Sequence, residues 1–227
     1  MSVNKLYNTN KIDGILFDMD GTVLDSEGLF DRAQLKLLNE YGVSVDANEL
    51  SEFKGMSYKD FYPRFMSKFH ITGDLDSIRL KLRTYLHGIM ESNLRYIDGF
   101  EHFYSKFIRG EKIKVGIVTN TTRLTYNKIE TCININEYFQ FSITATESEQ
   151  PKPSPVPYIQ AMKELSLEPH QTLIIEDSKT GLMSAARSGA RVVGITTSLS
   201  RTEIKDIDSR IHVVESYLEI GEYLQNY

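Results

Sequence analysis

Asp18 and Asp20 close a short apolar run in the stretch "GILFDMDGTVLDSE". In an extended strand residues i and i+2 face the same way, so two carboxylates at this spacing leave one strand end together. Polar groups also follow three later apolar segments: Thr119 and Asn120 after "VGIV", Lys152 in the proline-rich piece after "SITATESEQ", and Glu176 with Asp177 after "TLII". Four neighbouring carboxylates with ordinary pKa values of about 4 repel one another unless a cation joins them. A hard divalent ion with oxygen ligands and bound water answers that need, and Mg²⁺ suits such a set better than zinc. Lys152 adds a point positive charge and Thr119 a hydroxyl donor, a pairing that holds phosphate oxygens beside a carboxylate.

These residues need elements that bring them to one edge. Six β-rich segments recur: "IDGILFDMD", "KIKVGIVTN", "FSITAT", "QTLIIED", "ARVVGITTS" and "IHVVES", the later ones separated by helix-like stretches. Their continuous apolar character predicts strands covered on both faces, in an α/β, doubly wound parallel sheet. Ligands bind at the carboxyl edge of such a sheet, where all the polar groups above fall. About 90 residues without a convincing strand separate the first two segments, far more than one crossover helix requires. "FDRAQLKLLNEYG", "YKDFYPRFMSKFH" and "LDSIRLKLRTYLHGIMESNL" read as helices there, so a helical module over 28–94 is expected inside a core made of 1–27 and 95–227. Pro63 is expected to kink the middle helix or move its start, and Phe61, Phe65 and Phe69 form a packing stripe. Four prolines between Pro151 and Pro157 predict a stiff extended loop around Lys152.

Composition narrows the function classes. A net charge of -5 and no Lys/Arg-rich block argue against nucleic acid as a partner. The single cysteine, Cys132, excludes a disulfide framework or thiolate zinc site within the chain, and the five histidines lack metal-ligand spacing. "MSVNKLYNTNK" has no apolar signal-peptide core, and no run approaches the roughly 18 to 20 apolar residues of a membrane span. A cytoplasmic protein without a membrane partner, a monomer or weak homodimer, is expected. The sequence holds no GxxxxGK[ST] phosphate loop, no GxGxxG turn and no GxSxG elbow.

"DMDGT" at 18–22, "VTN" ending at 120, "KPSP" from Lys152 and "IIEDSKTG" from 174 resemble the four ordered motifs of the haloacid dehalogenase superfamily, and the helical insert resembles its α-helical C1 cap. The resemblance spans nearly the whole chain. It implies a Rossmann-like core and Mg²⁺-dependent hydrolysis of a small phosphorylated metabolite through an aspartyl-phosphate. Asp18 would be the nucleophile and Asp20 the general acid and base. Thr119 and Lys152 would bind the transferring phosphoryl group. Asp18, the backbone carbonyl of Asp20, Glu176 and Asp177 would hold the metal. Backbone amides of the turn up to Gly21 and Thr22 could line the phosphate oxygens, and Asn120 stands beside them.

Asp20 favours phosphate esters, since the superfamily's dehalogenases and phosphonate-cleaving members replace that residue. "FKGMS" at 53–57 resembles the cap specificity loop of the β-phosphoglucomutases, which makes Lys54 and Gly55 candidate substrate contacts; Lys54 either reaches into the crevice or faces solvent. Phe30 and Tyr58 stand where such a mutase carries a histidine and an arginine, so phosphatase is the leading expectation and mutase the alternative. A non-catalytic phospholigand-binding protein is the reading from another class.

Overall fold

A computed structural model describes residues 11–226. The N-terminal stretch read as lacking a signal peptide therefore lies almost wholly outside the described residues. Strand β1 (Gly14–Phe17) sits centrally in a six-stranded sheet, with β2 (Lys114–Val118) and β3 (Ser142–Ile143) on one side and β4 (Thr172–Glu176), β5 (Arg191–Ile195) and β6 (His212–Val214) on the other. The order is β3-β2-β1-β4-β5-β6 and every pairing is parallel. Alternation along β1 shows both faces covered. Ile15 and Phe17 join Ile117, Leu173 and Ile175 in one core, while Leu16 joins Val118, Ile174, Tyr158 and Ala161 in another. This is the doubly wound architecture that continuous apolar strands imply.

On the first face lie α4 (Phe100–Phe107), α5 (Arg123–Cys132) and α9 (Tyr217–Leu224); the second core is built with α6 (Val156–Glu164) and α7 (Lys179–Arg187), and α8 (Arg201–Ile207) packs at the β5–β6 side. Phe17, Phe100, Phe103 and Phe139 meet edge-on or stacked, ordering the first core through directional ring contacts.

Between β1 and β2 the chain builds the inserted α-helical cap: α1 (Glu27–Glu40), a 3₁₀ turn (Ala47–Phe53), α2 (Tyr58–Lys68) and α3 (Leu75–Asn93). Its two connections run side by side, with an antiparallel bridge between Leu24 and Tyr96 and an ion pair of Arg95 with Asp25 at 2.6 Å. Helix α2 starts at Tyr58 and continues through Pro63, so the proline does not set its start. Phe61, Phe65 and Phe69 all pack with Phe53 as the stripe predicts, and Phe61 also stacks on Phe65 and lines a cavity.

The proline-rich stretch departs from the extended loop expected of it. Pro155 caps α6 and Pro157 occupies its first turn, where a missing N–H costs nothing, so only a tight turn around Lys152 separates β3's loop from a helix. Among the described residues no helix is long and apolar enough to cross a membrane.

Candidate active site at the carboxyl edge of the sheet

Strand β1 delivers Asp18 to the carboxyl edge, where its backbone N–H continues the ladder to Ile175 O at 3.0 Å. Asp18 is only 6% exposed, and Lys152 Nζ donates to its Oδ1 at 2.5 Å. The same ammonium donates to Glu176 Oε1, which also accepts from the Tyr158 hydroxyl at 2.7 Å. Glu176 Oε2 takes the backbone amides of Asp177 and Ser178, at 3.1 and 3.3 Å. Glu176 is thus fully buried and bonded through both oxygens, and it anchors Lys152 against Asp18.

Asp177 lies beside it, also fully buried, accepting from Thr22 Oγ1 at 3.0 Å and from the Ser198 hydroxyl. Two glycines make this density possible. A Cβ on Gly21, whose φ is +81°, would stand 2.1 Å from Asp177 Oδ2, and one on Gly181 would stand 1.9 Å from Glu176 Oε1. Backbone of the first turn and of α7 can approach the acids only without side chains. The Gly21 N–H is itself taken by Leu24 O at 2.8 Å, so in this arrangement the glycine supplies room within the turn.

Asp20 points elsewhere. Ser26 Oγ donates to its Oδ1 at 2.6 Å, and Thr121 Oγ1 to its Oδ2 at 2.7 Å, with Thr119 Oγ1 at 3.5 Å. The two aspartates share a strand end but have different company: an ammonium for Asp18, neutral hydroxyls for Asp20. Asn120 acts as a clasp between parts. Its side chain donates to Gly55 O at 3.0 Å and to Lys152 O at 3.1 Å, and accepts from the Lys152 N–H at 3.0 Å. Gly55 O also accepts from Thr180 Oγ1 at 2.7 Å, which docks the cap loop onto the start of α7. Lys54 lines the cavity with its ammonium 3.8 Å from Asp31.

Electrostatics follow from that packing. Burial, then the charge of Glu176, pushes the Asp18 carboxyl well above its usual range despite Lys152. Asp177 is pushed up to about 7, by burial first and then by Glu176. Burial raises Asp20 too, against the hydroxyl bonds that lower it. For Lys152, burial works downward, but Asp18 and Glu176 outweigh it and hold the ammonium above its ordinary value. Among the described residues Lys152 is the buried base set against Asp18, Glu176 and Asp177. Those three acids offer oxygens within 4.8 Å of one another. An all-oxygen cluster with surplus negative charge fits a hard divalent cation.

The reacting edge opens into a cavity of about 760 Å³ between core and cap. Asp18, Asp20, Thr119 and Lys152 line its floor, and cap residues including Phe30, Gln34, Tyr58 and Arg79 its roof. The expected strand-end residues therefore meet in one place. Ser26, Thr121, Tyr158, Ser198 and Thr180, which support them, escaped the sequence reading. Thr121 and Ser198 each follow a strand by a few residues, a position that could have marked them; Ser26 and Tyr158 carry no such signal.

A haloacid dehalogenase-like hydrolase model matches residues 15–195, from β1 through the cap to the end of β5. A phosphorylated carbohydrates phosphatase of Thermotoga maritima is 22% identical over 190 residues, covering 83% of this chain and 88% of that protein. A phosphoglycolate phosphatase of Colwellia psychrerythraea is 27% identical over 192 residues, covering 80% and 83%. The solved structure of CbbY from Rhodobacter sphaeroides in complex with phosphate superposes with a TM-score of 0.78 at 24% identity, over 92% of this chain and 96% of that one. A hydrolase from Deinococcus radiodurans with bound phosphate and sodium gives 0.75 at 21%, over 96% of each chain. With the ordered acids, hydroxyl and lysine on successive strand ends and the match running through the cap that roofs them, this chain belongs to the haloacid dehalogenase-like hydrolases.

Proposed function

We propose that the protein is a Mg²⁺-dependent phosphatase of a small phosphomonoester, working through an aspartyl-phosphate. One observation carries the reading: Asp18 and Asp20 leave the same strand end into one cavity, the first held by Lys152 and the second by neutral hydroxyls. Two carboxylates facing a single anion are a liability for binding alone, but a nucleophile and a proton carrier are what ester cleavage needs.

The residues divide the work as follows. Asp18 attacks phosphorus, forming its bond to the phosphoryl group as the ester oxygen leaves. Asp20, whose carboxyl burial raises, gives its proton to that oxygen and then takes one from the water that cleaves the acyl phosphate, an exchange worth about 10² to 10⁴ in rate. Thr119 and Lys152 hold the phosphoryl oxygens. Asn120, Lys54 and Gly55 line the same cavity, and the turn amide of Thr22 is assigned to the phosphoryl oxygens beside them. Asp18, the Asp20 carbonyl, Glu176 and Asp177 would hold Mg²⁺, which offsets the repulsion between carboxylate and phosphate and stabilises the charge of the transition state. Docking of Gly55 onto Asn120 and Thr180 holds the cap loop against the core beside the site, and closure of the cap over bound substrate would exclude bulk water.

Support comes also from relatives whose names describe phosphatases, and from solved family members that hold phosphate. Phe30 and Tyr58 both line the cavity; Phe30, in the place of a mutase's histidine, has no proton to relay, and Tyr58 lacks the fixed positive charge of the mutase's arginine, which favours hydrolysis over mutase chemistry. The test is phosphate release from a panel of phosphomonoesters with Mg²⁺ or EDTA, comparing the wild type with Asp18→Asn and Asp20→Asn. Metal-dependent release abolished by Asp18→Asn is expected. Interconversion of sugar phosphates without release would instead mark a mutase, and binding without turnover a phospholigand-binding protein.

A further inference from the structure

Ser198 belongs to none of the four strand ends that carry the assigned residues. It follows β5, in a loop at 196–200 that is tied down along its length. The Thr196 N–H extends the sheet ladder to Val214 O at 3.0 Å. Thr197 Oγ1 donates to Gly21 O, in the turn after β1, at 2.5 Å. Ser200 and Glu203 form a capping box that starts α8 at Arg201. Between these ties Ser198 turns its hydroxyl onto Asp177 Oδ2. Gly21 leaves the room, since a Cβ there would stand 3.2 Å from Ser198 Oγ. A hydroxyl on a segment held this closely is aimed before any ligand arrives.

Asp177 is the acid that depends on such a partner. Among the described residues Lys152 donates to Asp18 and Glu176, while the Asp177 carboxylate is held by two hydroxyls, Thr22 on Oδ1 and Ser198 on Oδ2. One donor on each oxygen fixes the plane of the carboxylate. Each oxygen has a second acceptor position, which stays open to a cation. Both donors are neutral, so neither brings a positive charge that would compete with a metal for the cluster of Asp18, Glu176 and Asp177. Carboxylates that ligate metals are themselves hydrogen-bonded, and loss of such a partner commonly costs about tenfold to a hundredfold in metal affinity.

Resting on the Mg²⁺-dependent reading above, we propose that β5 supplies a fifth strand end to the site, and that Ser198, set in place through Thr197, is a positioning residue that fixes the Asp177 carboxylate for the metal. Ser198 touches neither the substrate nor the reacting atoms. It acts through Asp177, and Thr197 joins its loop to the Gly21 turn that follows Asp18 and Asp20. Metal affinity in this chain is thereby set in part by a loop outside the motifs that carry the catalytic groups.

The test is the Mg²⁺ affinity of the full chain, read by calorimetric titration and by the rise in Tm from EDTA to Mg²⁺, neither of which needs turnover. Ser198→Ala should weaken Mg²⁺ binding by about tenfold to a hundredfold. With Mg²⁺ well above both dissociation constants, a tenfold loss is about 1.4 kcal/mol less stabilisation, so the rise in Tm should be smaller by roughly 3 to 6 °C. Ser198→Thr keeps the hydroxyl and should restore the wild-type affinity. Ser200→Ala, in the same loop, is the control: it removes the α8 cap and should lower Tm in EDTA while leaving Mg²⁺ affinity unchanged. A Ser198→Ala protein with wild-type Mg²⁺ affinity overturns the proposal. So does a Ser200→Ala protein weakened as much as Ser198→Ala, because the fold of the loop and not the Ser198 hydroxyl would then set the affinity. A Ser198→Thr protein as stable as the wild type in EDTA that binds Mg²⁺ no better than Ser198→Ala overturns it as well. A wild type that takes up no Mg²⁺ by either readout overturns the Mg²⁺ reading and this proposal together, which tells the two failures apart.

Discussion

Replacing Gly181 with alanine should destabilise this protein and disable its site, although glycine to alanine inside a helix ordinarily stabilises by about 0.5 to 1 kcal/mol. The reason is steric. A Cβ at 181 would stand 1.9 Å from Glu176 Oε1, 2.0 Å from its Cδ and 2.1 Å from its Oε2. Glu176 cannot yield cheaply, since it is fully buried and held by Lys152, Tyr158 and two backbone amides. Either α7 lifts off the sheet or the carboxylate moves and Lys152 loses its anchor. Overpacking of this kind costs about 1 to 3 kcal/mol. For a chain of this size each kcal/mol moves Tm by roughly 2 to 4 °C, so a loss of about 2 to 12 °C is expected. Gly88, inside α3 with nothing within 4 Å of its would-be Cβ, is the matched control, and Gly88→Ala should raise Tm slightly. Thermal unfolding by circular dichroism and Mg²⁺-dependent phosphate release on both variants read the two effects. Equal Tm changes for the pair, or a Gly181→Ala enzyme with full activity, would refute the packing argument.

Three further outcomes are expected. Lys152→Met strands Asp18 and Glu176 without their shared cation, so it should cost about 3 to 5 kcal/mol in denaturant unfolding as well as abolishing turnover. In EDTA the raised carboxyls, with Asp177 at about 7, bind protons more tightly folded than unfolded; the stability they contribute is complete below about pH 4 and is lost as pH rises through about 7. At pH 7 Mg²⁺ should therefore raise Tm in the wild type, and much less in Asp177→Asn; equal shifts would contradict a metal at this cluster. Ser26→Ala removes a bond that lowers the Asp20 pKa, so the alkaline limb of the kcat/KM profile should move to higher pH, and an unmoved limb would sever Ser26 from Asp20's chemistry.

The convergence of the strand-end residues was legible because it depends on short-range regularities. Alternation places Asp18 and Asp20 together, continuous apolar runs call for a two-sided parallel sheet, and such a sheet aligns the ends that carry Thr119, Lys152, Glu176 and Asp177. The length of the strandless gap likewise required a helical insert. Local chain rules did less well where neighbours compete with them. The prolines after Lys152 start α6 instead of holding an extended loop.

Contacts between distant segments were beyond any local pattern. Tyr158 meets Glu176 across 18 residues, Thr121 meets Asp20 across 101, and Asn120 and Thr180 grip Gly55 across 65 and 125. Gln34 is the sharpest case. In sequence it is one more polar residue on an amphipathic helix, and its burial without a partner appears only when α1 is laid against α3 over the cavity. Periodicity and residue type specify which face of an element an atom occupies; which atoms then meet depends on how elements pack, and packing is a property of the whole chain.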